Sequence, residues 1–135
     1  GNEAIEADDV MKHILRNPND GNSVYMFVAD QTPHISMVNF GIWFLNQKTP
    51  VFVGYDRLSG RMNVTFVYCE MEKIKRGHYR VTYHEITPTN QKFEPYEVVK
   101  KFHQNLEKTI NKNPDNWLWS HRKWKYKDAI KHFDE

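Results

Sequence analysis

At 135 residues the chain is long enough to bury a real core and short enough to need only one, so the sequence predicts a single domain over 1–135. Its 14% aromatic content argues against disorder, because burying Phe, Tyr and Trp offsets ordering entropy; a net charge of +2 supports no nucleic-acid binding unless the charge clusters. The single cysteine, Cys69, excludes an intramolecular disulfide, and no apolar run approaches the ~20 residues of a membrane-spanning helix.

The first residues, GNEAIEADD, are acidic, contain no initiator Met and lack the basic and apolar regions of a signal peptide, so the natural protein is expected to extend upstream. Asp8 and Asp9 precede Val10, Met11, Ile14 and Leu15, a spacing that predicts a short helix with acids at its positive end, finishing at RNPNDGN. SVYMFVAD (23–30) is β-branched, aromatic and almost continuously apolar up to Asp30, the pattern of a buried strand that delivers DQTP into a loop. The following HISMVNFGIWFLNQKTPVFVGYDRLSGRMN shows no clean period. It reads as a loop, an extended piece near Val51 to Val53, and a short helix from about Tyr55 to Arg61.

VTFVYCEMEKIKRGHYRVTYHEIT gives two β-rich runs around KRG, a hairpin with Gly77 at its turn. In EPYEVVKKFHQNLEKTINKNP, Val99, Phe102, Leu106 and Ile110 recur three or four apart, which predicts an amphipathic helix with Pro95 near its first turn and Pro114 beyond its end. The fold class expected is α/β, a mixed sheet with flanking helices.

No Gly-rich phosphate loop, no Cys/His metal spacing and no nucleophile elbow is present, so the sequence points to no cofactor and no metal. None of the seven histidines is followed by Asp five positions later. His13 and His103 read as solvated helical residues and His78 as a surface residue beside the turn; His84 and Glu85, adjacent on a strand, point to opposite faces. Two places remain. Asp30 and Gln31 close a predicted buried strand, where a carboxylate is costly unless bonded or useful; a plain Asx-turn is the alternative. The stretch NPDNWLWSHRKWKYK (113–127) packs three Trp, a His and four cations together. If helical, it puts Trp117, Ser120, His121 and Trp124 on one face. It serves either as a terminal segment that packs its rings and turns its cations to water, or as a cationic aromatic patch for anionic head groups.

Three stretches, ADQTP (29–33), FLNQKTPVFVGYDRLSGRMNVTFVYCEMEKIKRGHYRVTYHEI (44–86) and LEKTINKNPDNWLWSHRKWK (106–125), resemble the C-terminal half of the bacterial lipid A late acyltransferases, most closely their Bacteroidetes-like forms. The resemblance runs from about residue 10 to about residue 127, and PDNWLWSHRKWK is its most specific motif. It implies a glycerolipid-acyltransferase-like fold at the cytoplasmic face of the bacterial inner membrane. It also implies an enzyme that moves a fatty acyl chain from acyl carrier protein onto a lipid A precursor. The family's H-x-x-x-x-D signature, whose His is the general base, is absent from these residues. The resemblance places it, with a membrane anchor, before Gly1, so the chain alone is expected to be inactive.

Carried over by position, Asp30 and Gln31 match the strand-end motif and would line the cleft. Ser120, His121, Arg122, Lys123 and Trp124 match the C-terminal motif. There Arg122 and Lys123 would contact phosphates of the lipid acceptor or the acidic carrier protein, while Trp117 and Trp119 anchor the segment. Ser59 and Gly60 depart from the family pattern. The apolar HISMVNFGIW predicts a surface facing another part of the protein or the bilayer, and with it a tendency to homo-oligomerise. The rival reading is a stand-alone module holding anionic lipid or a protein partner through the Trp patch. Nucleic acid is not an expected partner, because the cations of the tail are few.

Overall fold

The computed structural model describes residues 9–16, 21–61 and 63–134. Asp8, residues 17–20 of the predicted helix stop and Met62 lie outside the described residues. The architecture is mixed α/β. Helix α1 (Val10–Arg16) is followed by strands β1 (Phe40–Phe44), β2 (Gln47–Val51), β3 (Phe66–Lys75) and β4 (His78–Ile86), helix α2 (Glu97–Lys112) and strand β5 (His132–Asp134). One sheet has the order β2-β1-β5, antiparallel between β1 and β2 and parallel between β1 and β5; β3 and β4 form a separate antiparallel pair.

The β1–β2 hairpin was not legible as such in the sequence, and its turn explains why. Leu45 and Asn46 have φ of 48° and 59°, the left-handed pair that a two-residue hairpin loop demands and that Asn-Gly usually signals. Leu45 tolerates this conformation because its N–H donates to Glu107 Oε1 at 3.2 Å and its side chain packs on the core. Pro50 is accommodated within β2 because β2 is the edge of its sheet. Across the sheet, Gly41 leaves room for Ile130: a Cβ at position 41 would stand 2.6 Å from Ile130 Cδ1. The helix predicted at Tyr55 to Arg61 is a single 3-10 turn, Tyr55–Leu58.

Residues 23–29 correct the prediction of a buried strand. The segment is extended, with Tyr25, Phe27 and Ala29 turned inward, but it pairs with no strand among the described residues. Val24 is 95% and Met26 87% exposed. Continuous apolarity signals a strand covered on both faces, and here only one face is covered. HISMVNFGIW divides similarly: Phe40 and Ile42 are core, while Ile35, Met37 and Trp43 are exposed.

The β3–β4 hairpin forms as predicted, with Gly77 at φ +76° in its turn. Helix α2 also forms, and Val99, Leu106 and Ile110 bury the predicted stripe against Phe44, Tyr55, Tyr68 and Ile86. His103, expected on the polar side, is instead 2% exposed, with its ring edge-on to Phe44 at 5.4 Å. The start of α2 depends on a distant residue. Buried Asp56 accepts from Tyr96 N–H at 2.8 Å through Oδ2, and from Val98 and Val99 N–H at 3.1 and 3.4 Å through Oδ1. These donors are among those a helix N-terminus leaves unanswered, and a carboxylate there also meets the positive end of the helix dipole. Glu97 then ties the helix to the preceding loop by accepting from Thr89 N–H at 2.7 Å and Glu94 N–H at 2.9 Å.

Replacing Asp56 by Ala leaves those N–H groups buried without an acceptor. Urea unfolding is expected to show a loss of about 3 kcal/mol, and Asp56→Asn, which keeps one oxygen, about half of that.

A candidate functional site where the C-terminal strap meets residues 30–33

Pro114 ends α2, and the chain then crosses the molecule as a strap rather than as a helix. Residues 117–129 contain only short 3-10 turns, at Trp119–His121 and Lys127–Ala129, separated by Arg122 at φ +57°. The helical face predicted for Trp117, Ser120, His121 and Trp124 is therefore not formed. The reason lies in distant contacts: five backbone and side-chain bonds to other segments stand where a helix would have its i to i+4 ladder.

Those bonds join the two motifs that stood 90 residues apart in the sequence. Thr32 N–H donates to His121 Nε2 at 2.7 Å, and Thr32 Oγ1 donates to the Lys123 carbonyl at 3.0 Å and the Arg122 carbonyl at 3.3 Å. Lys123 Nζ donates to the Gln31 carbonyl at 3.0 Å. Trp124 Nε1 donates to Thr49 Oγ1 at 2.7 Å, which pins the strap to β2. Trp117 packs on the core, while Trp119 is half-exposed and donates Nε1–H to the Pro114 carbonyl at 2.7 Å.

The structure thus brings Asp30, Gln31, His121, Lys123 and Trp124 together, and leaves Ser120 and Arg122 facing solvent. Lys123 is 2% exposed. Burial lowers its amine to about 8, and the negative charge of Asp30 opposes that fall. An anion arriving from solvent meets Arg122 and Lys125, since the Lys123 ammonium is turned inward onto Gln31.

Sequence reading missed His103, Thr32 and Thr49. For His103 a signal existed, because it falls four residues after Val99 and three before Leu106, on the buried stripe itself. Burial, and secondarily the Lys123 charge, holds the His103 imidazole down to about 3. It is therefore neutral; Nδ1 bonds to the Val99 carbonyl at 2.8 Å, and Nε2 is buried without a hydrogen-bond partner among the described residues. Among the described residues, no group of three His, Cys, Asp or Glu is arranged to hold a metal and no helix is long and apolar enough to cross a membrane.

Both groups bind fewer protons folded than unfolded, so each makes stability rise with pH between its folded and unfolded values. For His103 that window is about 3 to 6.5 and for Lys123 about 8 to 10.5. Stability is expected to fall by about 2–3 kcal/mol through the His103 window as pH drops from 6.5 to 4.5. Comparing urea unfolding of the parent with His103→Leu checks the lower window, and Lys123→Met the upper; each variant is expected to flatten its own window.

Over residues 1–126 the chain matches the family model described as bacterial lipid A biosynthesis acyltransferase. No curated protein and no solved structure matches it. The match spans both the Ala29–Pro33 loop and the His121–Trp124 motif that the fold clamps together, and it covers nearly the whole length: the chain belongs to the bacterial lipid A biosynthesis acyltransferase family.

Proposed function

We propose that this chain is the C-terminal portion of an enzyme that transfers a fatty acyl group from acyl carrier protein to a lipid A precursor, at the cytoplasmic face of the inner membrane and within a glycerolipid-acyltransferase-like fold. The observation that carries the reading is the clamp between the two family motifs, Thr32 N–H on His121 Nε2 at 2.7 Å, inside a chain the family model covers. No observation favours a stand-alone binding module over it.

In such a transfer a general base removes the acceptor hydroxyl proton, the oxygen attacks the thioester carbonyl, and the carbon–sulfur bond breaks to release the carrier thiolate. His103 is buried and His121 is committed to Thr32, so the base is expected from the H-x-x-x-x-D signature elsewhere in the polypeptide. In this proposal the chain's role is that of a wall. The strap bonds Gln31 and Thr32, and in this proposal Asp30 and Gln31 line the cleft while exposed Arg122 and Lys125 serve as cations suited to lipid phosphates or an acidic carrier. Lys123 serves that wall as its internal anchor.

The purified 135-residue chain is expected to show no acyl transfer from acyl carrier protein to lipid A precursor. The native gene product, detected in its own cells with an antibody to this chain, is expected to run well above 16.2 kDa, to pellet with membranes and to carry the activity. In that product Arg122→Ala is expected to raise KM for the phosphorylated acceptor about 10-fold, the loss of one charge-assisted contact, with kcat changed less. A soluble product of this chain's own mass, without activity, overturns the reading.

A further inference from the structure

The far end of the β3–β4 hairpin is given no role in the acyl transfer proposed above, yet its surface is strongly patterned. Residues paired directly across two strands share a face. Tyr68, opposite His84, turns toward α2, where its hydroxyl bonds Thr109 Oγ1 at 2.8 Å; Met71 opposite Val81 and Lys73 opposite Tyr79 therefore turn away from the helix. From Lys73 to Glu85 every residue is exposed, so the distal half of the hairpin projects as a two-stranded ribbon.

Its charge is one-sided. Lys73, Lys75 and Arg76 fall within four residues, and no Asp or Glu occurs from 73 to 84. Arg80 is paired with Glu72 at 3.3 Å, but no carboxylate among the described residues stands within ion-pair distance of the other three cations. Exposed apolar side chains lie there as well. A register shift between Lys73 and Lys75 marks a bulge at Ile74, which is 51% exposed, and Tyr79 beside it is 55% exposed. Met71 and Val81 continue the apolar stripe along the outward face. Asn116 Nδ2, bonded to the Met71 carbonyl at 3.1 Å, fastens beside the same strand the segment that carries exposed Leu118 and Trp119.

We propose that the ribbon tip, residues 71–81, docks on an anionic lipid bilayer, with Ile74 and Tyr79 entering the interface and Lys73, Lys75 and Arg76 on the head-group phosphates. Charge complementarity favours an anionic partner, because three cations with no ion pair among the described residues stand on one projection, attract negative charge and repel positive. Shape selects a bilayer over an acidic protein. A rigid protein partner contacts one face of a two-stranded ribbon and needs roughly 800 Å² from it, whereas a bilayer interface deforms around a small amphipathic tip exposed on both faces and takes up aromatic and aliphatic side chains at head-group depth. The inference stands apart from acyl-transfer chemistry and needs no catalytic group.

Cosedimentation of the 135-residue chain with vesicles of phosphatidylcholine, alone or mixed with phosphatidylglycerol, tests it. Binding is expected only to the anionic vesicles and to weaken as salt rises. Each cation at an anionic surface contributes about fivefold, so Lys75→Glu with Arg76→Glu is expected to weaken binding by at least about 25-fold. Ile74→Ser is expected to weaken it at high and low salt alike. These side chains are exposed, so far-ultraviolet circular dichroism of the variants is expected to match the parent. Variants that bind the vesicles as the parent does overturn the proposal, as does a parent that binds soluble polyglutamate but no vesicle. Either failure leaves the acyl-transfer assay of the full gene product untouched.

Discussion

Lys123 puts an ammonium where almost no water reaches, and the neighbouring parts of the fold are arranged around that constraint. Removing such a group from water costs several kcal/mol unless oxygen acceptors and opposite charge are close by. The Gln31 carbonyl supplies the first and Asp30 the second. To bring Nζ to Gln31, the backbone of 121–124 has to lie against residues 30–33, and that approach places Thr32 within reach of His121 and of two strap carbonyls. The left-handed conformation of Arg122 follows from the same demand, since it turns the chain between an outward and an inward side chain. His103 completes the arrangement by remaining neutral, because a second cation beside Lys123 in the same dry volume would meet both desolvation and repulsion.

This arrangement divides a basic motif by direction. Four cations between residues 113 and 127 look like one patch in the sequence, but Lys123 faces in while Arg122, Lys125 and Lys127 face out, and Lys125 lies 4.8 Å above the Tyr126 ring. A motif can therefore be strongly patterned for two reasons at once. Its buried members hold a loop in place, and its exposed members are left for whatever approaches that loop. The Trp residues divide the same way, with Trp124 bonded to Thr49, Trp117 on the core and Trp119 half-exposed.

Elements governed by local rules were legible in the sequence. Gly77 marked the β3–β4 turn, and the stripe of Val99, Phe102, Leu106 and Ile110 marked α2 with Pro114 beyond it. Elements governed by distant contacts were not. The β1–β2 turn is made by Leu45 and Asn46, whose left-handed backbone is supported by Glu107 from another element, so no turn signature betrays it. The segment 23–29 carries the alternation of a strand, but apolar residues on both faces conceal which face is covered. For the site, the residue types at 30, 31 and 120–124 were readable from the family motifs. Their division into anchors and exposed groups was not, because it depends on a non-helical path that periodicity cannot express. His103 was misread as solvated although a signal existed: its position on the apolar stripe outweighed its polarity.

The Asp56 cap also has a kinetic meaning. A helix normally carries its N-cap in the residue just before it, so the cap forms as the helix nucleates. Here the oxygen comes from 40 or more residues away, and position 96, where a cap would sit, is a Tyr at φ +64° with no capping bond of its own. The first turn of α2 is then completed only after the chain between Asp56 and Tyr96, including the whole β3–β4 hairpin, has closed into a loop. Helix and hairpin thereby become one cooperative folding unit: hydrogen exchange at Val98 and Val99 reports the opening of the β3–β4 layer rather than the fraying of a helix end.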